Sequence, residues 1–232
     1  MPRRQFSLFL EQHFCFFGMK ISNLFAGYNN NLVINNFSLD LPLGNRIIIC
    51  GPNGSGKTTL LKCILGIIKP FSGSITFEKD ETISYCKQDF PNSDFPITVE
   101  EVVAMGLFTK KITSKKSAKN DKKDDARIDE ALKKAEALNL KGRLFYSLSG
   151  GERQKVSLAR CYCQNAKILL LDEPSSYLDL QSKKTFINQM KKLEQEDFSV
   201  IAVTHDEEII KELNWKTVRF FEKEKSIEKS EK

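Results

Sequence analysis

An α/β fold with a mostly parallel core sheet is predicted by three apolar runs, each ending in residues suited to phosphate chemistry. Arg46-Ile-Ile-Ile-Cys50 is a short β-branched segment that suits a buried strand, and a glycine-rich loop follows it. Ile168-Leu-Leu-Leu171 runs into Asp172-Glu173-Pro174. Val200-Ile-Ala-Val203 runs into Thr204-His205-Asp206. Helical segments lie between these runs, and strands that alternate with helices favour a parallel sheet.

The loop after the first run reads Gly51-Pro52-Asn53-Gly54-Ser55-Gly56-Lys57-Thr58 and matches G-x-x-x-x-G-K-[ST] without a gap. Thr59-Leu-Leu-Lys-Cys-Ile-Leu-Gly66 continues as a helix with one apolar face. The glycines let backbone N–H groups turn inward towards an anion, and the helix start adds a partial positive charge. Gly51 through Thr59 are therefore the candidate nucleotide-binding residues, with Lys57 reaching the β- and γ-phosphates and the Thr58 hydroxyl available to Mg²⁺. The strand and helix in register on either side favour this reading over an isolated Gly-rich turn.

Asp172 and Glu173 close the second run, as a strand does when it delivers carboxylates to a sheet edge. Asp172 is the candidate for holding Mg²⁺ through its water shell. Glu173 lies one residue on, points differently, and is the candidate base for the attacking water. Proton abstraction by a placed base contributes about 10² to 10⁴ in rate.

Leu148-Ser-Gly-Gly-Glu-Arg-Gln154 opens a helix running to roughly Gln164. Ser149 with the N–H groups of Gly150 and Gly151 makes an anion site at a helix N-terminus, or equally an ordinary N-cap. Taken with the phosphate loop and the carboxylate strand, this string resembles the nucleotide-binding subunits of ABC transporters, from about Met19 to Phe221. The fold the resemblance implies is a phosphate-loop NTPase of ABC type. It has a mostly parallel core sheet, an N-terminal antiparallel β subdomain carrying Tyr28, and an inserted helical lobe over roughly 89–164.

The same resemblance implies further roles. Tyr28 would stack on adenine, a contact worth about 1–3 kcal/mol. Gln88 would touch Mg²⁺ and the water and mark a hinge of the lobe. His205 would contact the γ-phosphate. Ser149, Gly150, Gly151, Glu152 and Asp179 would act across the seam of a homodimer, closing over ATP held by the other copy. The implied partners are transmembrane permease subunits and a separate substrate-binding protein, with the chain peripheral on the cytoplasmic face of the cell membrane. Asp94-Phe-Pro-Ile-Thr98 leans towards zinc and manganese importers, whereas Glu173-Pro-Ser-Ser-Tyr-Leu-Asp-Leu180 leans towards the iron-chelate and cobalamin branch. Uptake of a metal ion or metal chelate is thus the expected task. The alternative is an ATPase of the same type with another cargo or a soluble, non-transport role.

The remaining segments fit one α/β domain in a chain of 232 residues. Residues 1–18 read as an atypical leader or upstream extension: Pro2-Arg3-Arg4 and an apolar stretch are interrupted by Glu11, Gln12 and His13. Met19-Lys-Ile-Ser-Asn-Leu24 resembles the family's usual opening strand. Thr98–Gly106 and Asp124–Asn139 are predicted helices, the second with Ile128, Ala131, Leu132, Ala135 and Leu138 on one face. Much of the excess behind the formal charge of +6 lies between Lys110 and Lys123. It reads as a solvated loop, and no nucleic acid is expected. The six cysteines contain no C-x-x-C pair and read as buried free thiols. No apolar run approaches the roughly eighteen residues of a membrane span, so a transport path would belong to other chains. Residues 222–232 carry one apolar residue and read as a disordered tail.

Overall fold

The computed structural model describes residues 18–29, 31–77, 82–87, 96–110, 121–175, 178–195 and 198–220. β1 (Met19–Tyr28), β2 (Asn31–Leu41) and β3 (Arg46–Cys50) lead through the glycine loop into α1 (Lys57–Ile64). β4 (Ser72–Phe77) and β5 (Ile83–Lys87) precede α2 (Val99–Ala104), α3 (Asp121–Lys134) and α4 (Gly150–Cys163). β6 (Ile168–Asp172), α5 (Leu180–Lys192), β7 (Ser199–Val203), α6 (Glu207–Leu213) and β8 (Lys216–Arg219) follow.

Two sheets result. β2-β1-β4 is antiparallel, and β5-β6-β7-β3-β8 is parallel at every pairing. The expected α/β architecture, with its N-terminal antiparallel group, is the one observed. β1 and β2 meet at a tight hairpin, with Tyr28 opposite Asn31 and Asn29 in the left-handed region at φ 46°. Gly27 is obligatory there, because a Cβ would fall 1.8 Å from the Asn31 carbonyl oxygen.

The central strands are buried on both faces, which is why their sequences are continuous apolar runs. Alternate residues serve different layers. Ile47, Ile49, Ile168, Leu170, Ile201 and Val203 face α1 and the antiparallel sheet. Ile48, Leu169, Leu171, Val200 and Ala202 face a second apolar cluster built by α2 through α6.

Two predicted helices are shorter than expected. The helix expected over Thr98–Gly106 is α-helical only to Ala104 and winds on as a 3-10 turn over Met105–Lys110. The tightening comes where Gly106 lies against α4, with room for no Cβ: one would sit 2.3 Å from the Arg160 carbonyl oxygen and 3.1 Å from the Gln164 nitrogen. Gly106→Ala is therefore expected to push this turn off α4 and to cost about 1–3 kcal/mol, the usual price of overpacking. Urea unfolding measures it, and an unchanged midpoint would refute the close packing.

The helix expected over Asp124–Asn139 spans Asp121–Lys134. Glu136 takes a left-handed conformation at φ 54°, Ala137 N–H bonds back to Leu132 O, and Glu136 N–H bonds to Lys133 O. That is a Schellman stop, built on glutamate rather than the usual glycine. Ala135 and Leu138 thus lie beyond the helix, and Leu138 is exposed rather than on its apolar face. α2 and α3 pack on α4 and on each other. Cys50, Cys63, Cys86, Cys161 and Cys163 are free and buried. Among the described residues, no helix is long and apolar enough to cross a membrane.

Candidate functional site

Ligand sites of open parallel sheets lie beyond the carboxyl ends of the strands, and the candidate residues gather there. Register makes this concrete. Ile49 of β3 pairs with Val203 of β7, and Val203 pairs with Asp172 of β6. The glycine loop, the Asp172-Glu173 pair and Thr204-His205 thus leave three neighbouring strands at one level. Lys87 of β5 pairs with Asp172 at the same level. Gln88 comes next in the chain and lies outside the described residues, as do Asp94 and Phe95.

The loop is a cradle that side chains cannot fill. Gly54 and Gly56 hold φ 82° and 104°, and a Cβ on Gly51 would meet the Phe220 carbonyl oxygen at 2.3 Å. Pro52, Asn53, Gly54 and Thr58 are exposed, whereas Lys57 and Thr59 are buried. Lys57 is only 6% exposed, and its Nζ donates to the carbonyls of Gly51 (2.7 Å) and Pro52 (2.8 Å). The amine folds over the loop's own rim, next to where phosphate oxygens would replace those carbonyls. Ser55 Oγ is buried without a hydrogen-bond partner, a group poised for an acceptor or donor that enters the cradle. These features fit a polyphosphate. Thr58 and Asp172 bring a hydroxyl and a carboxylate, the hard oxygen donors that suit Mg²⁺.

Asp172 is 8% exposed, and its Oδ2 accepts a hydrogen bond from Tyr85 Oη at 2.8 Å. Burial pushes its carboxyl above the ordinary aspartate value, the Tyr85 bond pulls it back, and nearby Glu173 pushes it up again. Glu173 itself leaves the strand in a left-handed conformation at φ 49°, with its N–H bonded to Val203 O. A non-glycine residue held there carries strain, and such strain gathers at functional positions. The turn aims the carboxylate sideways, where Oε2 meets His205 Nδ1 at 2.9 Å. Acid and imidazole, expected separately, are brought together.

Ser149 is the N-cap of α4. Its hydroxyl accepts from Glu152 N–H (3.3 Å), and Glu152 Oε2 accepts from Ser149 N–H (2.8 Å), a complete capping box. Arg143 also donates to Glu152 Oε1 at 2.7 Å. These bonds hold the Glu152 carboxyl below the usual glutamate range, the Ser149 N–H first among them. Ser149 and Gly150 stay exposed at the helix start. Asp179 caps α5 by accepting from Ser182 N–H at 2.7 Å. Tyr28 is exposed at the end of β1, with Lys62 Nζ donating to its hydroxyl at 3.4 Å.

Two contacts went unread in the sequence. Tyr85 precedes Gln88 and drew no role, although alternation along β5 puts it on the Asp172 side of the sheet. Lys183, on α5, pairs with Asp206 (2.7 Å) and Glu208 (3.3 Å) and so steadies the segment after His205. Residues distant in sequence make both, and neither leaves a local pattern.

Such an edge is that of a nucleotide-binding protein of the phosphate-loop class. The sequence matches the ABC transporter family over residues 34–176. The chain therefore belongs to the ABC transporter family. It is 34% identical over 216 residues to the high-affinity zinc uptake system ATP-binding protein ZnuC of Bacillus subtilis, covering 89% of this chain and 92% of that protein. It is 33% identical to the manganese transport system ATP-binding protein MntB of Halalkalibacterium halodurans, covering 81% and 76%. In structure it superimposes on an inward-facing ABC transporter assigned to the metal-chelate type, with TM-score 0.79 and 30% identity over 88% of this chain and 79% of that one.

Proposed function

We propose that this chain is the ATP-hydrolysing subunit of an importer, energising uptake of a metal ion or metal chelate through a separate permease, with zinc the first candidate cargo. The observation that carries the ATPase reading is the single sheet edge shared by the glycine cradle, buried Asp172 and the Glu173–His205 pair. The cargo reading is supported by kinship alone: the relatives named above serve zinc and manganese systems.

In this reading Gly51 through Thr59 bind the triphosphate, and Lys57 swings from the loop carbonyls to the β- and γ-phosphates. Thr58, Asp172 and Gln88 would hold Mg²⁺, which would supply positive charge beside the phosphate oxygens. Glu173 takes the proton of the attacking water. His205, already bonded to Glu173 through Nδ1, presents its other ring nitrogen to the γ-phosphate. Tyr28, exposed on β1, stacks on adenine.

Ser149, Gly150, Gly151 and Glu152, with Asp179, serve the nucleotide of a second copy in a homodimer. The exposed helix start at Ser149 and Gly150 supports this. We assign residues 19–221 to the ATPase domain and roughly 89–164 to a helical lobe that moves when ATP binds. Permease subunits, a separate substrate-binding protein and a peripheral site on the cytoplasmic face complete the assembly.

Uptake of radioactive zinc by cells lacking this chain tests the cargo. Zinc accumulation at low external concentration is expected to drop, with recovery on supplying wild-type chain but not Glu173→Gln. Undiminished uptake across zinc, manganese and iron chelates would reject metal import.

A further inference from the structure

β5 is one of the two edge strands of the parallel sheet among the described residues, and an open edge needs cover. α4 supplies it through side chains. Gln164 Nε2 donates to Ile83 O (2.7 Å), Gln164 Oε1 accepts from Ser84 Oγ (2.8 Å), and Arg160 Nη2 donates to Tyr85 O (2.7 Å). One step further along β5, Cys86 is buried, as is Cys161 on α4. Three consecutive residues of β5 are thus fastened to α4 and its C-cap Gln164, the helix that Ser149 caps at its other end.

Across the sheet, Tyr85 pairs with Leu170 and Lys87 with Asp172, so the ring of Tyr85 lies two positions upstream of Asp172 on the neighbouring strand. Its hydroxyl spans that offset and donates to Oδ2 at 2.8 Å. The bond occupies one of the two carboxylate oxygens.

We propose that Tyr85 is a positioning residue for the reaction: its hydroxyl fixes the orientation of Asp172 towards Mg²⁺, and its backbone, held by Arg160, ties that orientation to α4. This rests on the reading of Asp172 as the carboxylate that serves the metal. An unfixed carboxylate at 8% exposure has a choice of rotamers and an unmet acceptor. A fixed one is aimed before the metal arrives, which lowers the cost of binding.

The test compares Tyr85→Phe, which keeps the ring and removes only the hydroxyl, with Asp172→Asn. Affinity for a fluorescent ATP analogue is measured in EDTA and again in Mg²⁺, and the ratio reports the coupling between metal and protein. Tyr85→Phe is expected to bind as wild type in EDTA and to lose about three- to tenfold of the Mg²⁺ enhancement. The Mg²⁺ concentration for half-maximal ATPase should rise by a similar factor, with turnover at saturating Mg²⁺ nearly kept. Asp172→Asn should abolish the enhancement. If Asp172→Asn retains it, the metal role of Asp172 fails first. If Asp172→Asn loses it while Tyr85→Phe matches wild type, only the Tyr85 proposal is overturned. A Phe variant that fails to fold, or weakens binding equally in EDTA and Mg²⁺, makes Tyr85 a packing residue and overturns it too.

Discussion

Glu173→Gln is expected to bind ATP as the wild type does, to lose about 10² to 10⁴ in turnover, and to accumulate an ATP-bound dimer. Three features of the structure make the substitution clean. The left-handed backbone at φ 49° is as strained for glutamine as for glutamate, so the fold bears no new cost. The side chain keeps its length, and a glutamine amide still bonds His205 Nδ1, now 2.9 Å from the carboxylate. What disappears is the capacity to take a proton. In the proposed function binding depends on the loop from Gly51 to Thr59, which this change does not touch. In the proposed homodimer nothing but hydrolysis parts the two copies, so the dimer is expected to persist. Phosphate release measures the first effect, and size-exclusion chromatography with ATP and Mg²⁺ measures the second. Turnover within about tenfold of wild type would assign the base to another group. Tight nucleotide binding without a dimer would instead remove the trans role of Ser149 and Asp179.

The parts of this architecture that could be read in advance are those written in local patterns. β3, β6 and β7 are runs of aliphatic residues buried on both faces, and their boundaries agree with the apolar runs to within a residue. The capping box of Ser149 and Glu152 starts α4 where the sequence puts a helix. What escaped was decided by tertiary contact. Glu136 ends α3 in a conformation that normally signals itself as glycine, because the following chain must turn to bury Ala137 and Leu140. Gly106 shortens α2 because α4 lies across it, a neighbour more than fifty positions away, at Arg160. The union of Glu173 with His205, and of Tyr85 with Asp172, joins residues on different strands. Pattern names each member, and only the register of β5, β6 and β7 brings them into contact.

Lys57→Ala is expected to weaken ATP binding by at least about tenfold and to remove nearly all turnover, the other large effect of this site. A hydrogen bond involving a charged group contributes about 1.5–3 kcal/mol, which corresponds to roughly ten- to hundredfold in affinity. Lys57 has two such bonds in the structure, to Gly51 O and Pro52 O. In the proposed function they are exchanged for bonds to phosphate oxygens when ATP binds. Alanine loses both sets: the loop rim is no longer held, and the γ-phosphate loses its cation. The helix behind the loop should survive, since Leu60, Leu61 and Ile64 of α1 stay buried in the apolar layer. Thermal unfolding without nucleotide therefore separates a lost ligand contact from a lost fold. Lys57→Arg should not restore activity, because a planar guanidinium is wider than an ammonium and Lys57 is 6% exposed within a closed loop. Isothermal titration with ATP gives the affinity, and phosphate release gives the rate. Wild-type values for both in Lys57→Ala would mean that Gly51 through Thr59 do not cradle the triphosphate.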